Sequence, residues 1–237
     1  ADGRVRVNGE LVTTLGTKVN PRRDVIHVDG KPLGRPEAPA YYLLNKPPGV
    51  LSAATDARGR RTVVDMVRSR SRLYPVGRLD MDSEGLILLT NDGALALRLA
   101  HPRYEHEKEY RVLVEGRPDA GALQRLRSGI AMEGGRTLPI RVRIEGEEGG
   151  GTWLRMVLRE GRKRQIRRML DLVGFPVLRL IRVRMGPLRL GDLEAGAYRS
   201  LSRQEVEALR GIRHGLGYRP VPAARRASLG ARRERRG

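Results

Sequence analysis

Short alternating patterns of apolar and polar residues open the chain. Residues 5–7 and 10–12 flank Asn8-Gly9, and residues 25–28 end at Asp29-Gly30. Asn-Gly between alternating apolar residues is a strong signal for a tight hairpin turn. The first 34 residues are therefore predicted to form short strands and turns.

A linker and a longer block of mixed elements follow. Residues 35–40 contain two prolines and no apolar pattern, so we predict a linker there. Apolar runs predict strands at 41–44, 86–90, 110–114, 153–158 and 177–183. Capping and stop signals predict helices at 62–68, 93–100, 119–127, 164–173 and 203–210. The acidic and glycine-rich residues 145–151 are predicted to be a flexible loop.

The order of these elements indicates the fold class. Strands and helices are interspersed without a regular βαβ rhythm, which favours an α+β fold with a mixed, mostly antiparallel sheet flanked by helices over residues 41–213. From Arg219 to the end there are seven arginines, one glutamate and almost no apolar content. Residues 214–237 are therefore predicted to be a basic tail that stays disordered until it meets an anion.

Charge narrows the classes of partner. The 237 residues include 47 Lys+Arg and 27 Asp+Glu, and the resulting net charge of +20 is typical of proteins that bind a polyanion. The absence of cysteine excludes disulfides, thiolate zinc sites and cysteine nucleophiles. No apolar run approaches the roughly 20 residues of a membrane span, and no signal peptide is evident. We therefore expect a cytoplasmic protein without a membrane partner.

One loop carboxylate is a candidate for chemistry. Asp80 follows Gly77 in a glycine-bounded loop that leads into the apolar run 86–90. A carboxylate held beside a buried strand can act as a nucleophile, a base or a metal ligand. The alternative is an ordinary aspartate that caps a turn.

A basic segment opens the predicted helix at 164–173. Between Gly161 and Arg184 there are eight basic residues and a single acid, Asp171. A solvated helix usually mixes its charges, so this segment favours a surface that faces a polyanion over a plain solvated face. Its candidate residues for binding a polyanion are Arg162, Lys163, Arg164 and Arg168.

Two further side chains have two interpretations each. Lys46 ends the first strand of the block, and it either meets phosphate or is an ordinary surface lysine. Tyr110 begins a strand, where it is either part of the core or a platform on which a base stacks.

Metal and cofactor signals are weak. The four histidines are scattered, and His101 and His106 lack a third ligand at a suitable spacing. The chain has no phosphate-binding P-loop and no dinucleotide fingerprint. We therefore expect neither a metal nor a cofactor.

Five segments, in order, resemble the successive motifs of pseudouridine synthases of the RsuA/RluB type. They are YYLLNKPPGV (41–50), YPVGRLDMDSEGLILLTNDG (74–93), EKEYRVLVEG (107–116), LREGRKRQIRRML (158–170) and VLRLIRVRMGPLRLGDL (177–193). Residues 4–33 resemble the trailing half of the alpha-L RNA-binding module that precedes this catalytic domain. Ser83 stands where the family usually has threonine. The resemblance implies the pseudouridine synthase catalytic fold, preceded by part of that module.

The resemblance also implies roles for individual residues. Asp80 corresponds to the carboxylate that either attacks C1′ of a uridine or removes its 2′ proton, and Arg167 to its basic partner. Tyr110 corresponds to the aromatic that packs on the target base. Arg78 corresponds to the residue that fills the space left by the flipped nucleotide, and Leu180 is a candidate for the apolar floor. Because a base inside a stem is out of reach, extrusion is required.

The resemblance implies an enzyme that isomerises a uridine of ribosomal RNA, and it favours the large subunit. Its partner is expected to be ribosomal RNA or a ribosomal subunit precursor, bound by a monomer. The alternative is a non-catalytic RNA-binding or ribosome-assembly protein on the same scaffold, which would not need Asp80, Tyr110 and Arg167 together. A DNA-binding regulator would fit the charge, but no helix-turn-helix pattern is present.

RNA binding by this chain is expected to depend strongly on salt. A protein that contacts six or more phosphates should lose about a thousandfold in affinity between roughly 50 and 200 mM salt, because released counterions drive the association. Filter binding to ribosomal RNA across this range tests the expectation. Nearly flat binding would show that the positive charge faces something else.

Overall fold

The computed structural model describes residues 3–20, 23–34, 37–101 and 104–211. The predicted tail, residues 214–237, lies outside them. The first elements form a small antiparallel sheet in the order β2-β1-β3-β4, built from β1 (Val5–Val7), β2 (Glu10–Leu11), β3 (Ile26–Val28) and β4 (Lys31–Pro32). Asn8 and Gly9 have φ of 52° and 90°, as the turn between β1 and β2 requires. The predicted hairpin is confirmed.

A nine-stranded sheet dominates the rest of the chain. Its strands are β5 (Tyr41–Lys46), β6 (Tyr74–Val76), β7 (Glu84–Thr90), β8 (Lys108–Glu115), β11 (Arg141–Glu148), β12 (Gly151–Leu158), β13 (Val177–Met185), β14 (Leu188–Arg189) and β15 (Tyr198–Ser200). A separate hairpin comprises β9 (Ala131–Met132) and β10 (Gly135–Arg136). The main order is β11-β12-β8-β13-β7-β5-β15, and only the pairing of β7 with β13 is parallel among the described strands. The predicted α+β class with a mixed, mostly antiparallel sheet is confirmed.

Four helices occur in the described part of the chain: α1 (Gly93–Ala100), α2 (Ala120–Ser128), α3 (Gln165–Leu172) and α4 (Arg203–Gly211). Three begin after a side chain that accepts a hydrogen bond from a free amide of the first turn, the interaction that favours helix starts. These capping residues are Asp92, Asp119 and Ser202. The predicted positions of all four helices are confirmed to within one residue at each end.

Two local predictions are wrong. Residues 62–68 form turns rather than a helix, because the Val63 amide donates to the carbonyl of Leu51 across the chain. Residues 145–151 are not a flexible loop, since β11 continues to Glu148 and only Gly149 and Gly150 form the turn. Cross-strand partners keep the acidic residues extended, as in the 2.6 Å contact from Arg155 Nε to Glu145.

The core explains why β7 reads as an unbroken apolar run. Leu86 and Leu88 on one face pack into a cluster with α1, whereas Ile87 and Leu89 on the other face pack with Val63 and its neighbours. A strand covered on both faces has no reason to alternate. A third cluster holds β8, β12 and β13 against α2 and α3. The strands beside the loop at residues 77–83 are thereby held in place.

The loop at residues 77–83, called here the Asp80 loop, connects β6 to β7 and is held by a fully buried lysine. Lys46 Nζ donates to the carbonyls of Ser83 at 2.7 Å and Met81 at 3.3 Å. Burial lowers the pKa of Lys46 to about 8 against the opposing effect of nearby carboxylates. Both sequence interpretations of Lys46 are wrong. Its side chain has no exposed surface, and its ammonium is directed at the loop rather than at RNA.

Two buried arginines hold the same loop from other elements. Arg167 Nη2, in α3, donates to the carbonyl of Asp82 at 3.0 Å. Arg182 Nη1, in β13, donates to the carbonyl of Arg78 at 3.4 Å, and its Nε donates to Leu86. Charged donors make the stronger class of hydrogen bond. Three elements that are distant in sequence therefore fix the course of one loop.

Gly85 allows the parallel pair to form at the end of this loop. It has φ of 101°, and a Cβ built on it would lie 2.3 Å from the carbonyl oxygen of Arg182. The Gly85→Ala substitution is expected to lower the free energy of unfolding by at least about 2 kcal/mol, since it adds a backbone clash to the strain of a positive φ.

Urea denaturation measures this loss. The matched control is Gly116→Ala, which has a φ of 69° with nothing within 4 Å of the added Cβ, so it should cost only about 1 kcal/mol. Equal losses in the two variants would contradict the close approach of β7 to β13.

Lys46→Met is expected to lower the free energy of unfolding by about 2 kcal/mol or more, because two loop carbonyls lose a charged donor inside the protein. Urea denaturation again provides the measurement. Lys163→Met removes an exposed lysine and should change stability by less than about 0.5 kcal/mol. Unchanged stability of Lys46→Met with weaker RNA binding would favour the phosphate interpretation instead.

Candidate active site

A cavity of about 630 Å³ opens above the Asp80 loop. The start of β8, the segment before α3 and the middle of β13 form its other walls. The sequence-predicted residues that line it are Arg78, Asp80, Tyr110, Arg162, Lys163, Arg164 and Leu180. The tertiary structure thus brings most of the predicted site together, whereas Lys46, Arg167 and Arg168 do not line the cavity.

The Asp80 side chain is accessible to solvent, whereas the backbone of its loop is fixed by hydrogen bonds. Its side chain is 36% exposed, and the one ion pair that it makes in the described part of the chain is to Arg164, at 3.8 Å. Its own carbonyl accepts from the Ser83 amide, which closes a tight turn. The carboxylate oxygens therefore face the cleft with most of their hydrogen-bonding capacity available.

The cation nearest to Asp80 is Arg164 rather than the predicted Arg167. Arg164 has a left-handed φ of 51° immediately before α3. Its two terminal nitrogens also grip the Asp82 carboxylate at 3.1 and 3.0 Å. Arg167 lies one turn further into the helix, where it is buried and reaches beneath the loop to Asp82, at 3.3 Å. The predicted pairing of Arg167 with Asp80 is therefore wrong in this structure.

The Asp82 carboxylate forms ion pairs with both Arg164 and Arg167. Burial opposes ionisation of its carboxyl, but the hydrogen bonds from Arg164 and the charge of Arg167 outweigh that effect and hold the pKa of Asp82 below its usual value. An ionised Asp82 compensates cations that would otherwise compete for Asp80. The two aspartates, two residues apart, have different tasks because one is enclosed by arginines and the other is not.

Tyr110 and Leu180 occupy neighbouring strands under the cleft. Tyr110 in β8 lies opposite Arg182, and Leu180 in β13 lies opposite Val112. Leu180 is buried, and half-buried Tyr110 packs against two of the core clusters while also lining the cavity. Tyr110 is thus packed in the core and is also accessible from the cleft.

The basic residues before and within α3 differ in what they are free to bind. The guanidinium of Arg162 donates to the carbonyls of Gly135 and Arg136 at 2.7 and 2.8 Å, so it braces the β9–β10 turn. Arg168 lies outside the cleft and pairs with Glu133 at 3.3 Å. Their role as RNA ligands stays a prediction, and RNA would have to compete with these contacts for the two guanidinium groups. Lys163 remains exposed at the rim.

The sequence analysis did not predict many of the lining residues, among them Lys108, Ser83 and Arg182. Lys108 lies two residues before Tyr110, and Ser83 and Arg182 are almost fully buried. Within the described residues, Ser83 Oγ and Arg182 Nη2 are buried atoms without a hydrogen-bond partner. The sequence offered a signal for Arg182, which is a basic residue within the apolar run 177–183. A charged residue is rarely buried in such a run unless it has a partner.

The described ranges contain neither a metal-binding cluster nor a membrane-spanning helix. Among those residues, no three histidine, aspartate or glutamate side chains are grouped in a way that could hold a metal ion. No helix there has the length and apolar character needed to cross a membrane.

The chain is similar to known proteins over most of its length. The family model for RNA pseudouridylate synthase matches residues 40–172. An uncharacterized RNA pseudouridine synthase of Aquifex aeolicus is 43% identical over 95% of this chain and 90% of its own length. The ribosomal large subunit pseudouridine synthase B of Bacillus subtilis is 42% identical, over 89% of this chain and 87% of its own.

A solved structure supports the same assignment. A crystal structure of a pseudouridylate synthase superposes with a TM-score of 0.66 and 30% identity, covering 87% of this chain and 89% of that one. The family model spans more than half of the 237 residues and includes the loop that carries Asp80. The resemblance predicted from the five motifs is confirmed, and the chain belongs to the RNA pseudouridylate synthase family.

Proposed function

We propose that this enzyme converts a uridine of large-subunit ribosomal RNA to pseudouridine and that Asp80 opens the glycosidic bond. The observation that carries the proposal is the partly exposed Asp80 carboxylate in the cleft, on a loop whose backbone is held by buried cations. The similarity to the Bacillus subtilis ribosomal large subunit synthase supports the choice of ribosomal RNA. A free or partly assembled large subunit RNA, met in the cytoplasm, would be the partner.

The reaction is an isomerisation in which no atom is gained from a cofactor. The N1–C1′ bond breaks, the uracil turns, and a C5–C1′ bond forms, after which the C5 hydrogen leaves as a proton and N1 takes one up. Asp80 either attacks C1′ or removes the 2′ proton, and both roles need an ionised carboxylate. Arg164 forms an ion pair with this carboxylate at 3.8 Å.

The cleft supplies the remaining functions from the same chain. Tyr110 offers a ring face beside Asp80 for the extruded uracil, and Leu180 offers an apolar floor. Arg78 is exposed at the mouth, where it is placed to fill the gap in the RNA stack. Lys163 and the overall charge of +20 attract the phosphates. Because one chain provides every group, the enzyme is proposed to act as a monomer.

Asp80→Asn tests the proposed chemistry. The substitution keeps the shape of the side chain and removes its charge, so tritium release from ribosomal RNA that carries 5-tritiated uridine should fall below detection. RNA affinity should stay the same or rise, because a repulsion from phosphate is lost. Single-turnover tritium release and filter binding supply the two measurements.

Asp119→Asn is the matched control, since Asp119 caps α2 and asparagine is an equally good cap. Its turnover should match that of the wild type. An active Asp80→Asn enzyme would show that Asp80 only caps a turn. Absence of tritium release by the wild type from every ribosomal RNA or subunit precursor would overturn the enzyme assignment itself.

A further inference from the structure

Lys108 is a partly buried cation in the cleft that no step described so far uses. It is the first residue of β8 and lines the cavity together with Asp80 and Tyr110. Its ammonium makes one long hydrogen bond, 3.3 Å to the carbonyl of His106. Within the described residues, no carboxylate forms an ion pair with it.

The acidic neighbours of Lys108 serve the opposite face of the strand. Successive side chains of a strand point to opposite faces. Glu109 pairs with Arg184 at 2.7 Å, and Glu107 pairs with Arg141 at 2.9 Å. Those two carboxylates are therefore engaged away from the cleft. Lys108 shares its face of the strand with Tyr110, and their Cα atoms are about 7 Å apart along it, so both side chains line the same cavity.

Arg182 adds a second cation nearby. Burial and the charge of Arg182 together lower the pKa of Lys108 to about 8. Two cations in a partly buried site repel each other, and the repulsion is relieved when a ligand brings negative charge between them. The cleft is thus prepared for an anionic oxygen at the end that Lys108 occupies.

The proposed reaction produces such an oxygen. When the N1–C1′ bond breaks, its electron pair passes to the uracil ring, and the negative charge spreads over N1 and the two carbonyl oxygens. This holds whether Asp80 attacks C1′ or removes the 2′ proton. A preorganised cation is most effective where charge develops in the transition state.

We propose that Lys108 is a catalytic residue that donates a hydrogen bond to a carbonyl oxygen of the target uracil and stabilises the ring as it leaves C1′. The proposal rests on the proposed function, which places that uracil against Tyr110. The charge returns to the C5–C1′ bond when the ring reattaches, so Lys108 need not lose its proton.

Lys108→Met tests this role in the full chain. With saturating enzyme and large-subunit RNA that carries 5-tritiated uridine, its single-turnover rate should fall about a hundredfold, the usual effect of removing one such donor. The dissociation constant should change less than about threefold, since the contact forms in the transition state. Lys108→Arg should restore part of the rate. Arg203→Met, which removes one positive charge from the exposed start of α4, should match the wild type.

A second RNA distinguishes stabilisation of the ring from other roles. Fluorine at C5 helps the departing ring to carry negative charge, so the Lys108→Met defect should be at least about tenfold smaller with 5-fluorouridine RNA. The measurement is loss of the 5-fluorouridine nucleoside by mass spectrometry. Because the same variant preparation meets both RNAs, a partly folded fraction would affect them equally and leave this ratio unchanged.

The outcomes separate the alternatives. Weaker binding with an unchanged rate would mean that Lys108 holds a phosphate, and an equal defect on both RNAs would mean a structural role; either result overturns the proposal. An unchanged rate and affinity would overturn it too. If the wild type itself releases no tritium, the proposed function fails first, so the two failures are distinguishable.

Discussion

The site depends on hydrogen bonds that three buried cations donate to the backbone of the Asp80 loop. Lys46 from β5, Arg167 from α3 and Arg182 from β13 each donate to a loop carbonyl. A buried charge is costly unless polar partners surround it, so these side chains are stable only when the loop follows this course. The loop and the elements around it therefore stabilise one another, and the Asp80 carboxylate is held in position with a single ion pair, to Arg164 at 3.8 Å, in the described part of the chain.

Asp82 makes this arrangement compatible with chemistry. Two arginines close to Asp80 would bind its carboxylate tightly if no other anion were available. Asp82 accepts most of that charge through a bidentate contact with Arg164 and a 3.3 Å contact with Arg167. Asp80 keeps one longer ion pair, which leaves its oxygens open to a substrate. Asp80 and Asp82 are the same residue type, so their different roles follow from their positions relative to the two arginines.

The basic side chains of the protein differ in whether they already have a bonding partner within the chain. Many arginines pair with carboxylates across β8, β11, β12 and β13, and others donate to backbone carbonyls, as Arg162 does. Such residues add to the long-range field that attracts RNA, but their guanidinium groups are occupied. The cations at the cleft with the fewest contacts are Arg78, Lys108 and Lys163. In the proposed function, this smaller group is the one available for specific contacts with the substrate nucleotide.

The amino-acid sequence by itself determined the helices and central strands, the α+β class and the loop that carries Asp80. These features depend on local periodicity, capping and glycine positions, which act between residues close in the chain. It did not determine the turns at residues 62–68 or the strand through residues 145–148, because their partners lie elsewhere in the chain. The tertiary structure alone decided that Lys46 is buried, that Arg164 rather than Arg167 faces Asp80, and that Lys108 enters the cleft. A charged side chain takes its role from the groups that surround it in space, and only the folded chain brings those groups together.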